Sequence, residues 1–358
     1  MNRFKTMTRQ IHLGSVLIGG GAPLVVQSMC NTKTSDAEAT LAQIRRLADL
    51  GCQVIRVALP SLSAVPALAR ICSESPLPVV ADIHFDARLA LEALEAGAHG
   101  IRVNPGNIPD LAGVRKVADT ASRLDRCVRI GVNMGSLAPS AREKYGPTAE
   151  AMVASALEYL IIFEDAGCNN LKVSLKSSDL RISIEAARRF HAESDWPLHL
   201  GITEAGTPMA GTIKSAIGLG VLLLEGIGDT IRVSLTAPPE AEITAAHRIL
   251  DALGLRPGRP QLVSCPTCGR TRIDLIPIAE AVETEIDRLM AAGKSITLKK
   301  IAVMGCEVNG PGEAADADLG LAGGNGTGVI FKFGKPILRC PENELLPALI
   351  AEIRSAAK

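Results

Sequence analysis

Three cysteines and one glutamate in the last third of the chain have the types and spacing of a metal or iron–sulfur site. Cys265 and Cys268 form a CxxC pair, which puts two thiolates on one tight turn, as a corner of such a site requires. Cys306 lies far along the chain, after an apolar run, and the Gly-Pro-Gly sequence behind it predicts a turn that brings Glu313 back. Three thiols with a fourth position of another kind indicate a reactive centre.

The residue types in this region leave the bound metal open. No histidine follows His247, so a zinc site of mixed cysteine and histidine ligands is excluded there. The fourth ligand is then Cys340, a carboxylate or an external group, and spacing alone is compatible with structural zinc and with an iron–sulfur cluster. A carboxylate in the fourth position favours the cluster, because it leaves one iron with a weaker, exchangeable ligand.

The composition is that of a compact protein without a preference for nucleic acid. Of 358 residues, 47% are apolar and 21% are charged, which suits one large domain plus a small one. The 38 basic residues balance the 38 acidic ones, so no global field attracts nucleic acid or a membrane. An aromatic content of 3% leaves little for stacking bases.

The cysteine count and the apolar runs bear on the compartment. Nine cysteines, an odd number scattered along the chain, are not typical of a disulfide framework. No apolar run reaches ~18 residues, and the N-terminus lacks the apolar segment of a signal peptide. We therefore expect a cytoplasmic protein.

Short apolar strands alternate with stretches of helical period over about residues 24–252. Eight β-α units predict an eight-stranded β/α barrel, a TIM barrel, for residues 1–255, because a doubly wound sheet normally uses fewer strands. The predicted strands are 24–29, 54–59, 79–83, 100–104, 128–133, 171–176, 198–203 and 230–235. The predicted helix caps are Ser35 or Asp36, Thr148, and Ser178 or Asp179.

The segment Arg256-Pro257-Gly258-Arg259-Pro260 breaks this pattern and predicts a linker. Residues 261–358 behind it combine the CxxC turn, two helices, two strands and a glycine-rich section. They predict a small α+β domain. The predicted helices are 276–292 and 342–356, the strands are 300–304 and 329–333, and the glycine-rich section is 320–328.

Four of the predicted barrel strands carry an arginine between β-branched residues, at positions where parallel strands are normally apolar. With a period of two, an arginine flanked by outward-facing apolar residues points into the barrel. The four are Arg56, Arg102, Arg129 and Arg232, and the same register sends inward Asp82, His84, Asn104, Asn133, Lys172, Ser174, Lys176 and His199. A structural barrel fills its interior with Val, Ile and Leu, so these residues predict an anion-binding barrel mouth.

The predicted ligand of this mouth is a phosphate or a diphosphate. Guanidinium groups bind phosphate in a bidentate manner, and buried cations are costly unless paired. Glycine-rich turns at the strand ends, as around Gly106 and Gly206, suit the same ligand. The sequence leaves open whether Asp82 and Glu204 are counter-charges or take part in the chemistry.

Long sequence motifs in the same order resemble the bacterial 4-hydroxy-3-methylbut-2-enyl diphosphate synthase family of the non-mevalonate isoprenoid pathway. The resemblance runs nearly from end to end and includes both cysteine motifs. Its other markers are Val26-Gln27-Ser28-Met29, Ala81-Asp82-Ile83-His84-Phe85, Gly100-Ile101-Arg102-Val103-Asn104-Pro105-Gly106-Asn107, Arg129-Ile130-Gly131-Val132-Asn133, Lys172-Val173-Ser174, His199-Leu200-Gly201-Ile202-Thr203-Glu204 and Glu225-Gly226-Ile227-Gly228-Asp229. The chain departs from the family at Cys30, where the family has threonine.

The resemblance implies a TIM barrel followed by a [4Fe–4S] domain similar to those of sulfite reductases. It implies an oxidoreductase that opens the ring of 2-C-methyl-D-erythritol 2,4-cyclodiphosphate with two electrons and loss of water. The electrons come from flavodoxin or ferredoxin. The family enzyme is a homodimer in which the cluster domain of one subunit closes over the barrel of the other.

The resemblance also implies roles for individual residues. The cluster ligands are Cys265, Cys268, Cys306 and Glu313, which argues against Cys340. The diphosphate is bound by Arg56, Arg102, Asn104, Arg129, Asn133 and Lys176, and Arg232 joins them as the fourth inward arginine. Asp82 and Glu204 lie near the reacting carbon skeleton. As a hypothesis, a substrate oxygen displaces Glu313 and Glu204 is the acid for the departing hydroxide.

Two alternatives belong to other functional classes. The first is a barrel hydrolase or isomerase of phosphorylated sugars with a structural zinc in the tail. The second is a non-enzymatic protein that binds phosphorylated metabolites. Measuring the bound metal distinguishes the first alternative, which contains zinc, from an iron–sulfur enzyme. Testing for product formation distinguishes the second alternative, which binds its ligand without converting it, from an enzyme.

Overall fold

The computed structural model describes residues 7–83, 86–104, 111–306, 308 and 310–358, and the chain divides into two units, Met1–Ile249 and Leu250–Lys358. Two predictions lie outside the described residues: the inward His84 and the glycine-rich turn around Gly106.

The first unit is a barrel of eight parallel strands in the order β8-β7-β6-β5-β4-β3-β10-β9. A parallel bridge between Val173 and Leu198, the residue before β9, closes the ring next to β8. The predicted fold class is therefore confirmed. The strands are β3 (Val25–Met29), β4 (Val54–Ala58), β5 (Val79–Asp82), β6 (Gly100–Val103), β7 (Cys127–Asn133), β8 (Leu171–Lys176), β9 (His199–Leu200) and β10 (Thr230–Ile231).

Three helices of this unit begin at the side-chain caps that the sequence predicts. Asp36, Thr148 and Asp179 accept hydrogen bonds from the backbone of the first turn, as predicted. The helices are α1 (Ala37–Asp49), α2 (Val65–Glu74), α3 (Ala87–Glu95), α4 (Leu111–Arg123), α5 (Pro139–Tyr145), α6 (Ala149–Asp165), α7 (Leu180–Glu193), α8 (Pro208–Leu224) and α9 (Pro239–Ala252).

The last two barrel strands are shorter than predicted, because the chain leaves the ladder early. After β9 the backbone enters a turn with positive φ at Glu204 and Gly206. After β10 the backbone N–H of Leu235 donates to the Glu242 carboxylate, 3.1 Å away, instead of to a neighbouring strand. Two prolines, Pro238 and Pro239, follow and have no N–H to donate.

A short antiparallel hairpin precedes the barrel and was not predicted. It consists of β1 (Ile11–Leu13) and β2 (Val16–Ile18). The backbone N–H of His12 donates to the Asn170 side chain, 3.1 Å away and directly before β8. The hairpin therefore lies at the amino ends of the barrel strands, opposite the predicted mouth.

The second unit is a mixed five-stranded sheet with helices. Strands β11, β12 and β13 are parallel, and β14 and β15 continue the sheet in antiparallel order. The strands are β11 (Gln261–Ser264), β12 (Lys300–Met304), β13 (Leu319–Gly323), β14 (Thr327–Lys332) and β15 (Lys335–Pro341), and the helices are α10 (Leu275–Ala291), α11 (Gly310–Ala315) and α12 (Glu342–Ser355). This arrangement confirms the predicted α+β class.

One local prediction in this unit was wrong. Residues 310–312, expected as a turn, lie in α11, and the glycine-rich section 320–328, for which no element was predicted, contains most of β13 and the start of β14. Gly320 is needed because a Cβ there would collide with the Ala314 backbone in α11. Glycine in these strands thus marks close packing and not a loop.

The two faces of β12 pack into two different apolar clusters. Ile301 and Val303 are fully buried in a cluster with side chains of α10 and α12. Ala302 and Met304 face the other way, into a small cluster with Ala317. Cys265 packs against both clusters, so both faces of the sheet support the cysteine segment.

Candidate active site

Strand register brings charged side chains into one row inside the barrel. Asp82 pairs with Arg102, Arg102 with Arg129, and Arg129 with Lys172, across β5, β6, β7 and β8. Residues paired across parallel strands point to the same face of the sheet. The row therefore places three cations and one carboxylate on adjacent strands.

Two glycines make room for these cations. A Cβ on Gly131 would lie 2.6 Å from Nε of Arg102, and a Cβ on Gly201 would lie 2.7 Å from Nζ of Lys176. Both distances are far inside van der Waals contact, and a Cβ on Gly201 would also lie 2.5 Å from the Arg232 carbonyl, so a side chain at either position would force its neighbours to move. The interior is thus shaped around Arg102 and Lys176.

Asp82 is the carboxylate that faces the arginines of β4 and β6. Its oxygens lie 3.9 Å from Nε of Arg56 and 3.6 Å from Nη1 of Arg102; Asp82 and Arg102 are buried, and Arg56 is partly buried. Arg102 also donates from Nη2 to the Gly131 carbonyl, 3.2 Å away. Asp82 therefore has the position of a counter-charge to two guanidinium groups, one of the two roles that the sequence left open.

The other interior cations have little compensation. Burial lowers the pKa of Arg129 well below its usual value, and the neighbouring Arg56 and Arg102 lower it further. Burial also lowers the pKa of Lys172 to about 8 and that of Lys176 well below its usual value. Among the described residues, Nε and Nη1 of Arg129 and Nζ of Lys172 have no hydrogen-bond partner. An anion is the ligand that such groups require.

Arg232 has its own counter-charge, Glu242 of α9, which sequence reasoning missed. The Glu242 carboxylate is buried and lies 3.3 Å from both Nε and Nη2 of Arg232. It also accepts from the Ser28 hydroxyl, 3.1 Å away. In the sequence Glu242 is one of two acids in the first turn of a helix, where a solvent-exposed carboxylate is the ordinary expectation.

The two predicted asparagines lie at the carboxyl ends of neighbouring strands. Asn104 follows β6, is buried, and donates from Nδ2 to the Ser136 hydroxyl, 2.6 Å away. Asn133 ends β7 and is half-buried at the start of the turn that contains Ser136. The structure therefore brings both amides to the mouth of the barrel.

Glu204 lies on the turn after β9 with its side chain exposed. Its φ of 52° is in the left-handed region, which non-glycine residues rarely adopt and which is often kept at functional sites. Asp82 and Glu242, by contrast, are buried beside the cations. Among the described residues, the barrel mouth thus has both buried and exposed carboxylates.

Sequence reasoning left further interior residues without a role. Lys172 and His199 were expected to point inward and are almost fully buried, while Gln27 and Met29 on β3 were not singled out. Burial and the surrounding cations hold the pKa of His199 well below its usual value, so its ring is neutral. For Gln27, a polar residue among apolar ones in a strand was the available signal.

In the second unit, adjacent parallel strands bring two predicted ligands to one edge of the sheet. Cys265 follows β11 directly, and Cys306 lies just beyond the end of the neighbouring β12. The backbone N–H of Gly305 lies 3.3 Å from the Cys265 sulfur. Glu313 is in the first turn of α11, which starts with a hydrogen bond from Gly310 N to Cys306 O of 3.1 Å.

The loop of the CxxC motif is tied to the same edge. The backbone N–H of Arg272 donates to the Gly305 carbonyl, 2.8 Å away. Within the loop, Cys268 N donates to the Thr271 hydroxyl, 3.0 Å away. Cys268 is exposed, and hydrogen bonds from the backbone and side chain of Arg270 lower its pKa.

The described residues contain no ready-made group of three Cys, His, Asp or Glu side chains that holds a metal ion. The four-residue ligand set therefore stays a prediction. Its donors nevertheless suit an iron–sulfur cluster, because three of the four are thiols and a backbone N–H is directed at one sulfur. Cys340, the other candidate, is buried in the core of the unit and pairs on the sheet with Gly328.

Cys30, where the chain departs from the family pattern, is buried directly after β3. Its backbone N–H donates to the Arg56 carbonyl, 2.9 Å away. Burial raises the pKa of its thiol to about 12. A neutral thiol at this position behaves as a small apolar side chain.

Comparison with known families matches both units. The GcpE TIM-barrel domain matches residues 8–247, and the GcpE protein C-terminal domain matches residues 261–355. The chain belongs to the GcpE family. The family prediction made from the sequence motifs is thereby confirmed, and with it the prediction of an oxidoreductase enzyme.

Curated relatives cover nearly the whole chain. One from Geobacter sulfurreducens is 52% identical over 350 residues and spans 98% of both chains. One from Persephonella marina is 50% identical over 97% of both, and one from Aquifex aeolicus is 49% identical over 99% of this chain and 98% of its own. All three are named 4-hydroxy-3-methylbut-2-en-1-yl diphosphate synthase (flavodoxin). Among the described residues, no helix is both long and apolar enough to span a membrane.

Proposed function

We propose that the chain is a reductive synthase that converts 2-C-methyl-D-erythritol 2,4-cyclodiphosphate to 4-hydroxy-3-methylbut-2-enyl diphosphate. In this proposal residues 1–255 bind the substrate and residues 261–358 hold a [4Fe–4S] cluster. The observation that carries it is the row of interior cations on adjacent barrel strands, in a chain of this family. The reaction consumes two electrons and one proton, and it releases water.

The barrel residues bind the diphosphate. Arg56, Arg102, Arg129, Lys176 and Arg232 supply positive charge from adjacent strands and the segments that follow them. Planar guanidinium groups match phosphate oxygens in pairs, and a site without bulk water strengthens each contact. Asn104 and Asn133 supply amide donors at the mouth, where neutral groups orient the ligand without adding charge.

The two carboxylates have separate tasks. Asp82 lies within 3.9 Å of Arg56 and 3.6 Å of Arg102, so it holds their side chains in place and lies next to the carbon skeleton. Glu204 is exposed on a turn at the carboxyl end of β9. That position gives it access to a proton from solvent for the departing hydroxide.

Cys265, Cys268, Cys306 and Glu313 hold the cluster. When bound, a [4Fe–4S] cluster supplies electrons one at a time. The backbone N–H of Gly305 stabilises the thiolate of Cys265, and Arg270 stabilises that of Cys268. Glu313, at the start of α11, is the oxygen ligand among three sulfur ligands, and it is the one most readily exchanged for a substrate oxygen.

The proposed electron donor is flavodoxin, which appears in the names of the relatives, and ferredoxin is the other candidate.

We also propose a homodimer, and the exposed surface of α8 supports it. This helix exposes a stripe of apolar side chains at helical spacing. An exposed apolar patch of this kind is normally covered by a partner. The stripe consists of Met209, Ile213, Ile217 and Leu224, which are between 51% and 76% exposed in the single chain.

The proposal is tested by anaerobic preparation of the protein, followed by iron and sulfide analysis and turnover of the cyclic diphosphate with dithionite. We expect roughly four irons per chain with matching sulfide and formation of the linear diphosphate. Replacing Glu313 with alanine is expected to cripple turnover. Stoichiometric zinc in the protein would contradict the proposed cluster. Binding of the cyclic diphosphate without product would contradict the proposed activity. Near-normal turnover in Glu313→Ala would contradict the role of Glu313 as a ligand.

A further inference from the structure

The sulfur of Met29 lies between two arginines of the proposed diphosphate site. Arg56 donates to it from Nε at 3.1 Å and from Nη2 at 2.8 Å, and Nη1 of Arg232 lies 3.7 Å away. The topology explains this, because β3 lies between β4 and β10 and Met29 pairs directly with Arg56. One thioether therefore contacts guanidinium groups from both neighbouring strands.

For Arg56, the thioether is the main anchor. Within the part of the chain that is described, the hydrogen bonds of its guanidinium go to Met29, since the Asp82 carboxylate is 3.9 Å from Nε. That distance is too long for a hydrogen bond. Arg232 is held on its other side by Glu242 and turns Nη1 toward Met29.

A thioether orients a guanidinium without neutralising it. It is a weak, uncharged acceptor, whereas a carboxylate at this position would form a strong ion pair and compete with the phosphate oxygens. An aliphatic side chain would leave the N–H groups of Arg56 without an acceptor, and the guanidinium would be drawn to Asp82. Methionine thus allows two like charges to lie close together with both available to a ligand.

We propose that Met29 is a positioning residue for the diphosphate, whose sulfur holds Arg56 and Arg232 in place for one ligand. This inference rests on the proposed diphosphate site in the barrel. An ordinary interior position of a barrel strand would carry Val, Ile or Leu. Met29 is half-buried on such a strand and makes polar contacts to two cations there.

The test is Met29→Leu, which nearly conserves volume, in the cluster-loaded enzyme under anaerobic conditions. Titration with inorganic pyrophosphate in a calorimeter is expected to show a Kd roughly three- to tenfold higher than that of the wild type, the usual range for a lost hydrogen bond. The KM for the cyclic diphosphate rises by a similar factor, while kcat changes by less than about twofold. Met152→Leu, a fully buried methionine of α6, is the matched control and leaves both values unchanged.

A double-mutant cycle separates positioning from packing. In an Arg56→Gln background, Met29→Leu is expected to change the pyrophosphate Kd by less than about twofold, because its main partner is gone. An equal effect in both backgrounds would overturn the inference in favour of a packing role. If the wild type binds pyrophosphate and Met29→Leu binds it equally well, only the inference fails. If the wild type itself does not bind pyrophosphate, the proposed diphosphate site fails as well.

Discussion

The two predicted sites of this chain are built in different ways. In the barrel, the charged groups are carried mostly by strands, so their spacing is fixed by the ladder of Arg102, Arg129 and Lys172. In the small unit, Cys265, Cys268 and Cys306 lie on segments that follow strands, and Cys268 is exposed. The described residues of the barrel already bring the predicted binding side chains together, whereas the described residues of the small unit contain no group of three side chains ready to hold a metal ion.

This difference sets what each site costs. The barrel brings like charges together without a ligand, so its empty state is strained electrostatically. Cysteine ligands bring no such row of fixed like charges with them, and metal binding is coupled to their deprotonation. Removing a residue from the barrel site can therefore weaken binding while stabilising the empty protein. Removing one of the proposed thiol ligands is expected only to weaken binding of the proposed cluster.

The largest effect is expected from Cys306→Ala, which tests the small unit. Iron content should fall from roughly four to below about one per chain, and turnover by on the order of 10³-fold, since a thiolate ligand has no substitute. Cys340→Ala is the matched control in the same unit, and we expect it to retain its iron. Iron loss in the control, or full iron in Cys306→Ala, would move Cys340 into the ligand set.

Arg129→Met tests the barrel. We expect the Kd for pyrophosphate to rise by about 30- to 100-fold, because a bidentate charged donor is lost. The Tm of the ligand-free protein should stay constant or rise, because an uncompensated buried charge is removed. Calorimetry and thermal unfolding measure the two quantities. The control Arg189→Met, on the exposed face of α7, should change neither the Kd nor the Tm. A fall in Tm for Arg129→Met would show that the charge of Arg129 is already paired in the ligand-free protein.

Glu242→Gln compares a paired barrel cation with the poorly compensated ones, because the carboxylate of Glu242 lies 3.3 Å from Arg232. Loss of that partner should destabilise the ligand-free protein by about 3–5 kcal/mol, as for other broken buried pairs. Pyrophosphate should then raise the Tm more than it does in the wild type. The control is Glu240→Gln in the same turn, which pairs with Arg46 near the surface. Equal losses in both variants would contradict the assigned role.

The smallest effect is a pH dependence of stability. The pKa of Lys172 is about 8 in the folded state, against 10.5 as its ordinary value. Between these values the unfolded chain binds more protons, so stability should rise with pH by at most about 1.4 kcal/mol per unit. Cys127, Arg129 and Asp229 also act on this lysine. Thermal unfolding of Lys172→Met from pH 8 to 10 should lack most of this rise. An unchanged slope would place the titration elsewhere.

Much of this organisation could be predicted from the sequence, for reasons that differ between the sites. The period-two placement of Arg102 and Arg129 among apolar residues was sufficient to orient them, because strand geometry dictates the face. Glu242 and Met29 could not be assigned in this way. Their roles depend on which helix or strand lies beside Arg232 and Arg56, and that is decided by tertiary packing.

In the small unit, the sequence indicated the kind of site but not the local structure around it. The spacing of Cys265 and Cys268 indicated a metal site directly, yet the Gly-Pro-Gly segment was expected as a turn and forms the start of α11. Glycine has two explanations, conformational freedom and close packing, and a single sequence does not separate them. The short β9 and β10 have a similar cause, because side chains and turns compete there with the ladder.

The row of cations on β6, β7 and β8 also bears on how the barrel assembles during folding. Each strand that joins this part of the sheet brings a new positive charge beside the last one, so native pairing and electrostatic repulsion oppose each other at the same step. A polyvalent anion present during refolding relieves this conflict before the barrel has closed. Phosphate or pyrophosphate is therefore expected to act as a folding aid for this enzyme as well as a ligand of its native state.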